Sequence, residues 1–224
     1  LSMALGPIRE SAVKLSIIGY GEAGHAIAQG LLAEQNQVSI TCFDTKLLDP
    51  DQAGAVQQRA DAVGVVTAQS LEAGIQDSDF IISTVTAASA LDVARDVAKA
   101  NPTVRAFFDM NSVSPGTKRE EAALLEAVGV PYVDTAVMAP IHPRLHQTPM
   151  LLAGPKADEM AQVLENLNMD VRVVGNEVGR ASSIKMLRSV MIKGLEALTA
   201  EMGLAAIKAG VADEVIASLN ASFP

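Results

Sequence analysis

The run Gly19-Tyr20-Gly21-Glu22-Ala23-Gly24 spaces three glycines in a way that can hold a pyrophosphate. In a strand–turn–helix setting the first glycine permits the tight turn and the second lets the main chain approach phosphate oxygens without a Cβ in the way. The third lets the helix pack closely on its strand. The N–H groups of Glu22 and Ala23, with the partial positive charge of the helix start, then face the phosphates. Asp44 stands 20 positions after Gly24, at the end of a second apolar run. A carboxylate at that place accepts hydrogen bonds from the adenosine ribose and repels a 2′-phosphate. The pattern therefore expects NAD as cofactor, with Lys46 the one nearby cation that would admit NADP.

Other reactive side chains carry less. Cys42 lies inside a strand pattern and reads as a small core residue. His142 and His146 are four apart, a spacing that suits a metal only on a helix, and Pro143 between them interrupts one. No Asp or Glu joins them, so no metal site is expected. The loop bearing His142, Arg144 and His146 has two readings, a solvated connection or a basic cover over an acidic substrate. His25 either packs at the helix start or neighbours the pyrophosphate.

The elements that must position these residues follow from periodicity. Val13, Leu15, Ile17 and Ile18 read as a buried strand leading into the glycine turn, and Ala26, Ile27, Gly30, Leu31 and Leu32 give the helical face after it. Strands are expected at 38–43, 63–66, 79–85, 104–109, 130–137, 150–153 and 171–174, with helices at 51–62, 88–100, 115–128 and 156–167. Alternation of this kind predicts an α/β fold with a doubly wound, mainly parallel sheet of Rossmann type. The end of the fourth strand, Thr84, Val85 and Thr86, then opens beside the cofactor, because ligands bind outside the carboxyl ends of such strands. Ser114 and Pro115 read as the N-cap and first residue of a helix. From 180 to 209 there is no proline, and Ile184, Leu187, Met191, Leu195, Leu198 and Met202 recur at helical spacing. That stretch predicts one long helix, followed by a short one at 213–219. The expected domains are an N-terminal extension at 1–12, a dinucleotide-binding domain at 13–176 and an all-helical domain from 177 to 224.

Bulk properties narrow the class. At 224 residues and 49% hydrophobic, the chain can bury a sizeable core, which with 3% aromatics must be aliphatic. A net charge of −9 argues against a nucleic-acid surface. No stretch is apolar enough for a membrane span, the N-terminal residues lack the apolar core of a secretory leader, and a single cysteine fits a reducing compartment. The expectation is a soluble cytoplasmic protein.

Four landmarks in order carry a family resemblance: the glycine turn, Asp109-Met110-Asn111-Ser112-Val113-Ser114-Pro115, Tyr132-Val133-Asp134-Thr135-Ala136-Val137, and the helix segment Ala181-Ser182-Ser183-Ile184-Lys185-Met186-Leu187-Arg188-Ser189. From about Lys14 onward the chain resembles the β-hydroxyacid dehydrogenases, the group of 3-hydroxyisobutyrate and 6-phosphogluconate dehydrogenases, and most of all a 6-phosphogluconate dehydrogenase-like branch. The resemblance implies hydride transfer between NAD(P) and the carbinol carbon of a small β-hydroxy acid. It implies that Lys185 exchanges a proton with that hydroxyl, that Asn111 and Ser112 contact nicotinamide and substrate, and that the chain forms a homodimer. It also implies further helices after Pro224, so that the helical substrate and dimerisation domain is expected to be incomplete.

Departures from the family pattern leave the substrate open. Ser189 stands where relatives carry asparagine, and offers one hydroxyl in place of an amide's donor and acceptor. Arg188 beside it either clamps a substrate carboxylate or faces solvent. Met138-Ala139-Pro140 replaces the usual Ser-Gly-Gly of the substrate loop. Two other functions therefore stay in view: a non-catalytic dinucleotide sensor, and a decarboxylating dehydrogenase of phosphosugar acids.

Overall fold

The computed structural model describes residues 12–34 and 37–223; the expected N-terminal extension lies outside them but for residue 12. The chain divides into two compact units, with the boundary between Ser183 and Ile184.

The first unit is built on one eight-stranded sheet. Its strands are β1 (Val13–Ile18), β2 (Val38–Phe43), β3 (Val66–Thr67), β4 (Phe80–Ser83), β5 (Ala106–Asp109), β6 (Tyr132–Val137), β7 (Met150–Ala153) and β8 (Val171–Gly175). They lie in the order β3-β2-β1-β4-β5-β6-β7-β8. Only the β6–β7 pair is antiparallel. The order reverses between β1 and β4, the topological switch point at which a doubly wound sheet opens a crevice. Helices α1 (Glu22–Glu34), α2 (Pro50–Asp61), α3 (Leu71–Ile75), α4 (Ala90–Ala100), α5 (Pro115–Glu126) and α6 (Ala157–Asn166) cover it.

The central strands are apolar and buried on both faces, as parallel strands under two helical layers must be. One core, holding Leu15, Ile17, Ile27, Leu31, Ile40, Phe80, Phe108 and Leu152, lies on one side of the sheet. The other holds Ile18, Phe43, Ile81, Phe107, Leu125 and Tyr132. Each fully buried Ile or Leu contributes about 1.5–3 kcal/mol by leaving water.

The elements follow the expected ones closely; short 3₁₀ turns at Thr45–Leu48 and Leu145–Gln147 were not expected, and there are two larger differences. The third strand is Val66–Thr67 rather than 63–66, because the chain is still turning at Val63 and Gly64, where φ is +80°. Helix α3 was not expected. It spans five residues, too short for a periodic signal, and is started by Ser70, whose hydroxyl accepts the Ala73 N–H at 3.1 Å.

The second unit consists of most of α7 (Arg180–Ala209), with α8 (Ala212–Ser222) after a break at Gly210, where φ is +71°. Within it Leu187, Val190, Leu198, Leu204 and Ile207 are exposed. Among the described residues no helix is long and apolar enough to cross a membrane.

Candidate functional site

The turn after β1 is fixed by two glycines. Gly19 has a φ of +86°, and a Cβ there would meet the Thr84 carbonyl oxygen at 2.7 Å. Gly24 packs against the Gly19 carbonyl, and a Cβ would stand 2.8 Å from Thr84 Oγ1. Thr84 Oγ1 in turn donates to the Gly19 carbonyl at 2.7 Å, so the ends of β1 and β4 are tied together. Gly21 differs from both, since nothing lies within 4 Å of the position its Cβ would take. That empty space is part of a cleft of about 510 Å³ at the carboxyl ends of β1, β2 and β4.

The cleft brings together Gly19, Gly21, Asp44, Thr84, Val85 and Thr86. Glu22 and Ala23 open α1 beside it, where the first N–H groups of a helix have no acceptor of their own. Their spare donors and the room at Gly21 fit a pyrophosphate. Asp44 directs both carboxylate oxygens at main-chain donors: Oδ2 accepts the Tyr20 N–H at 2.8 Å and Oδ1 the Lys46 N–H at 2.9 Å. These bonds fix the carboxylate while leaving lone pairs toward the cleft, as a ribose acceptor requires. Lys46 also lines the cleft and is exposed.

Behind the turn, Arg59 Nη2 donates to the Tyr20 carbonyl at 3.1 Å, and the Tyr20 hydroxyl lies 3.2 Å from His25 Nδ1. Partial burial, with the nearby charges of Arg59 and His142, lowers the His25 pKa. Cys42 is buried in β2, and burial with the Asp44 charge pushes its thiol up to about 12. It is a core residue rather than a nucleophile. His146 turns inward against Gly30 of α1, with Nε2 at 3.3 Å from Glu34 Oε2, and is not exposed as a basic cover. No group of three metal-ligating side chains is found among the described residues.

The loop after β5 supplies the next wall. Asn111 is 5% exposed, and its amide is committed inside the protein: Oδ1 accepts the Val85 N–H at 2.7 Å and Nδ2 donates to Ser83 Oγ at 2.9 Å. It thereby bridges the ends of β4 and β5. Ser112 next to it is exposed. Under the loop Asp109 Oδ1 accepts the Asn111 N–H at 2.9 Å.

A set of buried charges that sequence reasoning passed over lies below this loop. The single hydroxyl proton of Tyr132 faces two acceptors, Asp109 Oδ2 at 2.5 Å and Glu121 Oε2 at 2.8 Å. One proton serves one acceptor, so a carboxyl must bring the other. Burial, reinforced by Asp109, pushes Glu121 up to about 8, which makes it the protonated partner at neutral pH. Burial opposes ionisation of Asp109, but the Lys118 charge and hydrogen bonds from Glu121, Tyr132 and Lys118 hold it below the ordinary carboxylate range. A signal was present in the sequence: Lys118 and Glu121 share the stripe of α5 that buries Ala122 and Leu125.

Lys185, Arg188 and Ser189 belong to the second unit. Their spacing of three and four residues sets them on one face of α7. Lys185 is partly exposed and Arg188 exposed. Ser189 Oγ donates its only proton to the Lys185 carbonyl at 2.8 Å, so it offers lone pairs and no donor to anything else.

The comparisons with known proteins agree with this geometry. Residues 14–179 match the model of the NAD binding domain of 6-phosphogluconate dehydrogenase. An uncharacterised 28.5 kDa protein of Methanothermus fervidus is 30% identical over 208 residues, which cover 93% of this chain and 76% of that protein. A conserved hypothetical protein from Sinorhizobium meliloti is similar at 37% identity and a TM-score of 0.77, over 96% of this chain and 72% of its own. A conserved protein of unknown function, described as structurally similar to 3-hydroxyacid dehydrogenases, matches at 30% identity and a TM-score of 0.71, over 92% and 75%. At the level of fold alone, Mycobacterium tuberculosis 3-hydroxyisobutyrate dehydrogenase, solved with L-serine, gives a TM-score of 0.73 at 20% identity, over 89% and 67%. With a glycine turn open at Gly21, a carboxylate at the end of β2 and a family model spanning most of its length, the chain belongs to the family of the NAD binding domain of 6-phosphogluconate dehydrogenase.

Proposed function

We propose that the protein is an NAD-dependent oxidoreductase that transfers hydride between the nicotinamide and the carbinol carbon of a small β-hydroxy acid. The observation that carries the cofactor half is the space at Gly21, walled by Gly19 and Thr84 and opening to Asp44. Gly19, Gly21, Glu22, Ala23 and Gly24 would hold the pyrophosphate, Asp44 the adenosine ribose, and Thr84, Val85 and Thr86 the face of the cofactor leading to the Asn111 loop. When bound, the nicotinamide supplies the hydride acceptor.

The substrate half rests on α7 and on the relatives. A carbinol carbon gives up hydride only as its hydroxyl proton is withdrawn, and the Lys185 amine is the group we assign to take and return that proton. Arg188, one turn along the same face, pairs with the substrate carboxylate. Ser189 accepts a hydrogen bond or simply secures the turn, since its proton is spent on the Lys185 carbonyl. Ser112, exposed beside Asn111, meets the substrate from the loop, while Asn111 itself holds the wall of the cleft together. L-serine, bound by the Mycobacterium tuberculosis enzyme, is itself a β-hydroxy acid. Cys42, a buried and protonated thiol, supports a reducing, cytoplasmic setting, and we assign a homodimer by analogy with the family.

One observation favours a second reading. The loss of a free donor at position 189 removes a polar contact that a catalytic site would use, which suits a protein that binds dinucleotide without turnover. A panel of small β-hydroxy acids with NAD and NADP, followed by nicotinamide absorbance beside a Lys185→Ala variant, separates the two. Catalysis requires turnover in the wild type and its loss by at least a hundredfold in the variant. NADH binding with no turnover of any acid supports the sensor, and undiminished turnover in the variant removes Lys185 from the mechanism.

A further inference from the structure

We propose that Lys118 is a positioning residue, its single buried ammonium tying the loop that carries Asn111 to the first turn of α7. Lys118 is 0% exposed and projects from α5 into the protein. Its Nζ donates to the Asp109 carbonyl at 2.7 Å and lies 2.9 Å from Asp109 Oδ2 and 3.6 Å from Asp134 Oδ1. Both carboxylates are also fully buried.

Each of the two carboxylates divides its oxygens in the same way. One oxygen turns to Lys118, in close contact on Asp109 and by charge attraction alone on Asp134, whose Oδ1 accepts no hydrogen bond, and the other holds a piece of main chain. On Asp109 the second oxygen takes the Asn111 N–H at 2.9 Å. On Asp134 it takes the Gly179 N–H at 3.0 Å, the Ser182 N–H at 3.2 Å and the Ser182 hydroxyl at 3.3 Å. A carboxylate is the partner that donors at a helix start select. The ammonium is thus the common anchor of two segments 68 residues apart, Asn111 and Gly179.

Apolar side chains in place of the lysine and both carboxylates together would give comparable stability at lower desolvation cost, so the buried lysine is explained by the geometry it imposes rather than by the energy it adds. Asn111 braces the ends of β4 and β5 at the cleft, and α7 carries Lys185 three residues after Ser182. In the functional reading above, on which this inference rests, the brace fixes the Asn111 loop and the first turn of α7 without touching substrate or cofactor.

The test compares the wild type with Lys118→Met and Asp134→Asn by hydrogen–deuterium exchange of main-chain amides, together with NADH titration and steady-state kinetics. In Lys118→Met the amides of Asn111, Gly179 and Ser182 are expected to exchange together at least tenfold faster, while those of the Gly19–Gly24 turn keep their wild-type rates. NADH affinity stays within threefold, and kcat on the best β-hydroxy acid falls at least tenfold with KM for NAD little changed. If the methionine variant does not fold, Asp134→Asn keeps the shape of the side chain and removes its charge. It is expected to loosen Gly179 and Ser182 and, through Lys118, to raise exchange at Asn111 by a smaller factor. Unchanged exchange at Asn111 in both folded variants, or an unchanged kcat, overturns the proposal. A wild type that binds no NADH and turns over no acid defeats the functional reading instead, and leaves the exchange result to decide the brace.

Discussion

Asp44 and Asp109 are the same side chain at equivalent places, each at the carboxyl end of a parallel strand and each accepting an N–H from the loop beyond. Their surroundings give them different work. Asp44 is partly open to the cleft and both of its oxygens are satisfied by main-chain donors, Tyr20 and Lys46. It needs no counter-ion, and its charge is directed at whatever enters. Asp109 is sealed beneath its loop and is kept ionised by Lys118, against the cost of burial. Water and backbone dipoles suffice for a carboxylate at a rim. A carboxylate in the interior must be given a cation, and that cation then becomes a structural joint.

Removal of each carboxylate is the strongest test of that contrast. Asp109→Ala leaves Lys118 with Asp134 alone and is expected to cost about 3–5 kcal/mol, as loss of one partner of a buried pair does. Asp44→Ala loses a cap on an exposed turn and should cost about 1 kcal/mol. Urea denaturation of both variants measures the difference, and equal losses would break the comparison.

The glycines of the rim give the next largest effect. Gly21→Leu places a side chain in open space, so NADH affinity should fall about a hundredfold, roughly 2.7 kcal/mol, with little change in thermal midpoint. Gly19→Ala should do the reverse in kind: strain at φ +86° and a clash with Thr84 would lower stability by about 1–3 kcal/mol. A Gly21→Leu chain that still binds NADH tightly would remove the pyrophosphate from this turn.

A smaller shift is expected in cofactor choice. Asp44→Ser removes the charge that repels a 2′-phosphate and leaves Lys46 in the cleft. The ratio of NADPH to NADH affinity should rise about tenfold, near 1.4 kcal/mol, in parallel fluorescence titrations. An unchanged ratio would mean that Asp44 serves only the turn it caps.

A graded effect is expected on pH. Glu121 keeps its proton up to about pH 8 in the folded chain, whereas a free glutamate loses it near 4.5. Between those values the native state binds more protons than the unfolded one, so this group makes stability fall as pH rises. Glu121→Gln cannot titrate. The stability difference between wild type and variant should therefore move steadily against the wild type from pH 5 to pH 8, by urea midpoint; a constant difference would show that Glu121 is ionised throughout.

The cleft was legible early because its residues act through local rules. Glycine spacing, an apolar strand before it and a carboxylate at the next strand end are all adjacent in the chain, and each has one physical task. The long helix was legible for the same reason: Arg180–Ala209 has a regular apolar period and no breaker. What escaped was short or non-local. Helix α3 is too short to show a period, and the joint at Lys118 depends on α5, β5, β6 and the start of α7 meeting at one point. Its trace in the sequence was two charges, Lys118 and Glu121, on the apolar stripe of α5, where a solvated helix carries none.

By itself the sequence determined that a dinucleotide turn leads a mainly parallel sheet and that a lysine-bearing helix follows. Periodicity and turn chemistry are properties of neighbouring residues and need no fold to be read. The tertiary structure decided which polar groups are free to act. It set the Asn111 amide between Ser83 and Val85, gave the Ser189 proton to the Lys185 carbonyl, turned His146 inward and enclosed Lys118 between two aspartates. A side chain's type states what it can donate or accept, and only packing determines whether that capacity is already used.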